Sequence, residues 1–176
     1  MNMNKQQGVG LVEVLVALLL LSIAILGFAS LQLRAVQATS EGANRIQAMN
    51  LARDLAEKIR MNNGTDALAA YQQNMGSQSA QETEGTNCYN NFCLPAAKAA
   101  FDVHESYLQA QKLGMVMNMI ECPGTANGRS CIYVAWNKTD ATDNTTDKTG
   151  QIACTSSQQS SFTYQDNSTC IVMEAF

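Results

Sequence analysis

The sequence predicts an α+β protein: one long N-terminal helix whose distal half packs on a small antiparallel β-sheet head. Three observations carry that expectation. A helical pattern runs from Leu11 to Met61 without a proline, segments beginning near residues 115, 132 and 171 read as strands, and all six cysteines lie at or beyond Cys88. Strands that follow a helical region sort into α+β architectures. A length of 176 residues suits one domain.

The helix is the first element. From Val14 to Leu31 there is no charge, and only Ser22 and Ser30 are polar. At 1.5 Å per residue this run spans roughly 27 Å, close to the hydrocarbon thickness of a bilayer. Beyond it, Leu33, Val36, Ala43, Ile46, Met49, Ala52, Ala56 and Ile59 recur mostly at three- or four-residue steps, with Leu55 widening the stripe. That spacing predicts an amphipathic helix whose apolar side faces a head. Asn62-Asn63-Gly64 ends it.

The head follows. Thr65 to Tyr71 reads as a short helix capped by Thr65, and GSQSAQETEGTN as a polar loop. Pro95 opens a second helix, with Ala96, Ala99, Ala100, Val103, Ala110 and Leu113 on one face and Gly114 at its end. Met115–Ile120, Ile132–Trp136 and Ile171–Met173 read as strands. Six cysteines, Cys88, Cys93, Cys122, Cys131, Cys154 and Cys170, indicate disulfides formed in an oxidising compartment. They allow about fifteen connectivities. Nearest-neighbour pairing (88–93, 122–131, 154–170) costs the least chain entropy.

Charge divides the chain. Residues 32–60 hold five basic and three acidic side chains, whereas residues from Met61 onward hold five basic and eleven acidic, a balance of −6. An acidic head argues against general nucleic-acid binding. Asp140, Asp143 and Asp147 do not have the spacing of an EF-hand loop, so their segment reads as a solvated polar loop rather than a calcium site. His104 has no nucleophile assigned to it, and the sequence offers no catalytic residue, metal-ligand set or cofactor motif. Four Asn-x-Ser/Thr triplets read as chance matches in polar loops.

Glu13 sets the N-terminus apart. A carboxylate at the start of an apolar run is disfavoured in lipid, and neither a secretory signal cut near Ala29 nor an ordinary signal anchor needs one there. Gly8-Val9-Gly10-Leu11-Val12-Glu13, preceded by a short polar leader and followed by the apolar helix, resembles the signal of type IV prepilins. The resemblance implies a leader of residues 1–8 cut by a prepilin peptidase between Gly8 and Val9, N-methylation of Val9, and a processing and assembly motif at Leu11 and Glu13. It also implies a membrane and assembly half (9–31), an amphipathic half (32–61) and a periplasmic disulfide-containing head (62–176), in the lollipop shape of that family. In the family, the glutamate is taken to pair with the new N-terminal amine of a neighbouring subunit.

Glu13-Val14-Leu15-Val16-Ala17-Leu18, Asn50-Leu51-Ala52-Arg53-Asp54-Leu55-Ala56-Glu57 and Phe101-Asp102-Val103 resemble PilV-type minor pilins most closely. That likeness implies no enzyme and no cofactor. It implies an inner-membrane protein that passes into the pilus, and a role in priming pilus assembly or at the tip. The implied partners are prepilin peptidase, other minor pilins and the major pilin, the pilus assembly platform and a tip adhesin. A minor pseudopilin of type II secretion is the alternative, and a tip-located binding module for adhesion or DNA uptake is another.

Overall fold

The computed structural model describes residues 10–125, 128–146, 149–158 and 161–175. Gly8, Val9, the rest of the expected leader and Asp147 lie outside them. The elements run α1 (Leu11–Met61), α2 (Thr65–Met75), α3 (Gln78–Glu82), α4 (Pro95–Lys112), β1 (Met115–Glu121), β2 (Ser130–Trp136), β3 (Thr139–Asp143), β4 (Ile152–Gln158), β5 (Ser161–Tyr164) and β6 (Cys170–Glu174). The chain forms two compact units, 1–43 and 44–176.

In the first unit the structure is the leading part of α1, and its large apolar side chains from Leu11 to Val36 are all exposed.

The second unit is the α+β head. Its core begins at Ala48 and takes Leu51, Ala52, Leu55, Ala56 and Ile59 from α1. Leu55 and Ile59 are fully buried, and truncating either to alanine would cost about 2–5 kcal/mol. Of the expected stripe, Leu33, Val36, Ala43 and Ile46 instead stay exposed, because the core reaches back along α1 only to Ala48, and Met49, one residue past that limit, is exposed as well.

β1, β2 and β6 form an antiparallel sheet in the order β1-β2-β6, with Met115 opposite Trp136 and Cys131 opposite Glu174. Successive strand residues point to opposite faces, and β2 is buried on both. Ile132, Val134 and Trp136 join Met115, Met117 and Met119 in the cluster around α1, α2 and α4. Cys131, Tyr133 and Ala135 join Cys122, Ala141, Cys154 and Cys170 in a second cluster. One strand therefore separates two cores.

The second sheet, β3-β4-β5, departs from expectation. β4 and β5 are antiparallel, but β3 and β4 run parallel, with a register break between Asp140 and Asp143. The segment expected to be a solvated loop starts with β3, whose Thr139, Asp140 and Ala141 are buried. Its Thr-Asp-Ala-Thr-Asp sequence lacks the aliphatic alternation by which strands are recognised. Hydrogen bonds hold it instead: Thr139 Oγ1 accepts from Thr169 N at 2.9 Å, and Asp143 Oδ1 accepts from the Thr155 hydroxyl at 2.7 Å.

Two local expectations also change. α2 extends to Met75, and its N-cap is Gly64 rather than Thr65, with no side-chain cap. The polar loop after it contains α3, capped by Ser77, whose hydroxyl accepts from Ala80 N at 3.3 Å. At the end of α4, Gly114 adopts φ 67°, the left-handed conformation that glycine supplies at a helix C-terminus.

Candidate functional site

The surface that stands out is the leading part of α1. Gly10 precedes the helix, and its carbonyl accepts from Glu13 N at 2.9 Å, closing the first turn. Glu13 lies in that turn, where the helix dipole favours a negative charge. The apolar window beyond it has a mean hydropathy of 2.8, and none of it is buried. By length and composition this helix can cross a membrane. Ser22 does not spoil it, because its hydroxyl donates to Leu18 O at 2.7 Å, leaving no donor for lipid to strand. Leu11 and Glu13 are thus placed at one exposed helix end, while Gly8 and Val9 lie outside the described residues.

The six cysteines form three disulfides, Cys88–Cys93, Cys122–Cys131 and Cys154–Cys170, each joining neighbours in sequence. The second fastens β2 to the residue after β1, and the third ties β4 of one sheet to β6 of the other.

Sequence reasoning did not find the polar braces of the head. The Tyr71 hydroxyl donates to Asp102 Oδ2 at 2.6 Å inside the core, and Lys98 pairs with the other carboxylate oxygen. Burial, and next the bond to the Asp102 carboxylate, push the Tyr71 hydroxyl well above its usual range. Gln81 is buried and donates to Met75 O at 2.7 Å and Met117 O at 2.9 Å. His104 places Nδ1 2.9 Å from Gln81 O. Tyr71–Asp102, Gln81–Met117 and Gln81–His104 are 31, 36 and 23 residues apart, so no local pattern announces them. Among the described residues, no group of three or more His, Cys, Asp or Glu side chains is arranged to hold a metal ion.

Two family models match the chain. Residues 3–29 match the prokaryotic N-terminal methylation motif, and residues 30–104 match type IV pilin Tt1218. Over residues 3–104 the chain is thus similar to type IV pilins. No curated protein and no solved structure gives a match. The pilin match ends at residue 104, so both sheets lie beyond it. Type IV pilins are structural proteins rather than enzymes, and this chain carries the motif read by prepilin peptidase. Its partners are, in general terms, that peptidase and the components with which pili assemble. The apolar helix and methylation motif fit an inner-membrane prepilin that later enters a pilus.

Proposed function

We propose that this chain is a PilV-type minor pilin that primes pilus assembly together with other minor pilins. The observation that carries the reading is α1, which runs from Leu11 to Met61 with no proline, whereas a proline loosens this helix in many major pilins. A helix built for fewer neighbours needs no such weak point. In this reading residues 1–8 are the leader, cut between Gly8 and Val9, and Val9 is N-methylated. Residues 9–31 hold the subunit in the inner membrane, and 62–176 form the periplasmic head. Glu13 then meets the amine of Val9 on an adjacent subunit, an attraction that strengthens as water leaves. Other minor pilins, the major pilin, the assembly platform and a tip adhesin are the partners.

The test is a deletion strain in which the other subunits remain. It should form few pili, and a trace of this chain should restore them, with a mature N-terminus at Val9. Recovery at the abundance of the major subunit, or with a secretion complex instead of pili, would overturn the minor-pilin role.

A further inference from the structure

We propose that Cys88–Cys93 is a thiol–disulfide exchange site, opened by a dithiol while the head stays folded. Exchange requires a thiolate to reach a sulfur atom directly, so access decides which bridge reacts. Cys122, Cys131, Cys154 and Cys170 are 5, 7, 0 and 6% exposed and packed in the second core, behind Tyr133 and Ala135. Reaching them means opening the sheets. Cys88 and Cys93 are only half-buried and belong to neither core. They lie between α3 and α4, outside any helix or strand, and close a loop with a separation of only 5 residues.

The loop is also built to survive the loss of its bridge. Asn87 Oδ1 accepts from Tyr89 N at 2.9 Å, and Asn91 Nδ2 donates to Asn87 O at 3.0 Å. The Tyr89 ring meets Phe101 of α4 edge-on, with centroids 5.0 Å apart. On the other side, Asn62 Nδ2 donates to Pro95 O at 2.8 Å and pins the start of α4 to the end of α1. What remains between these anchors is Phe92-Cys93-Leu94, and Phe92 is 93% exposed. Opening the bridge therefore frees three residues and little else.

The chemistry balances with one dithiol. Its first thiolate attacks one sulfur to give a mixed disulfide, and its second displaces that bond. Two electrons and two protons pass to Cys88 and Cys93, which end as thiols, and the dithiol leaves as a disulfide.

The test uses the full chain in detergent micelles, titrated with dithiothreitol under native conditions. Thiols are then blocked with iodoacetamide and located by mass spectrometry, with limited proteolysis of the head in parallel. Cys88 and Cys93 should be labelled at least tenfold lower in reductant than the other four, with the head still protease-resistant. Labelling of all six together, or of a buried pair first, overturns the proposal. So does selective labelling accompanied by protease sensitivity throughout the head, since the bridge would then be needed for folding. The double variant Cys88→Ser, Cys93→Ser should show no labelling in the low-reductant range, and any labelling there means that another bridge is the accessible one.

Discussion

The Tyr71 hydroxyl of α2 donates to Asp102 Oδ2 of α4 across 2.6 Å, and both side chains are buried. The carboxylate also holds Lys98, so one group ties two helices together and neutralises a surface lysine at the same time. Tyr71→Phe keeps the ring and removes the donor. A buried acceptor left short of a partner costs about 1–3 kcal/mol. Urea denaturation of the full chain in micelles should show a lower midpoint of that size with an unchanged slope.

Tyr133 gives the head an alkaline limit. Burial, above all, pushes its hydroxyl from the ordinary value of 10.0 up to about 12. The unfolded chain therefore releases this proton first, and the folded state loses ground once it does. The contribution is fully present below pH 10 and is lost as the pH rises through about 12. Tyr71 acts in the same direction. Thermal melts across this window should fall steeply, and Tyr133→Phe should make the fall shallower without abolishing it.

Gly114 isolates the energetics of backbone conformation. A Cβ added there meets nothing within 4 Å, so space is not the obstacle. The left-handed φ of 67° is, and it disfavours an L-residue by about 1–2 kcal/mol. Gly114→Ala should lower the head's stability by that amount, while Gly27→Ala in the exposed helix, where φ is not left-handed, should not.

Glu13 separates tolerance from pairing. If the carboxylate is merely endured, Glu13→Ala should leave assembly unchanged or improve insertion. With a pairing role, the variant should insert normally and be cut after Gly8, yet appear in sheared pili at a severalfold lower level. Membrane abundance, leader removal and recovery with the filament are the three measurements. Normal recovery rules the pairing out.

The elements legible from sequence are those whose apolar side chains keep a regular period. α1, α4 and β1 do, β2 and β6 show instead as short unbroken apolar runs, and Pro95 and Gly114 mark the ends of α4. The second sheet was not legible, since β3 to β5 are rich in Thr, Ser and Asp and offer no apolar run longer than Ile152-Ala153-Cys154, and their burial depends on partners elsewhere. Periodicity shows which residues share a face but not where along the helix the head begins. At the N-terminus the balance is reversed: the roles of Gly8 and Val9 are expectations from sequence pattern alone, and only Leu11 and Glu13 also have a described place.

Under tension, the three disulfides decide how much chain the head can yield. Their loops enclose separations of 5, 9 and 16 residues, each bridged by less than 6 Å between Cα atoms. A fully extended chain gains about 3.3–3.6 Å per residue, so the bridges together withhold about 90 Å of length. Force that tears apart every strand would still stop at these covalent clips. Most of the withheld length belongs to Cys154–Cys170, the bridge buried deepest, and reducing Cys88–Cys93 would return the least.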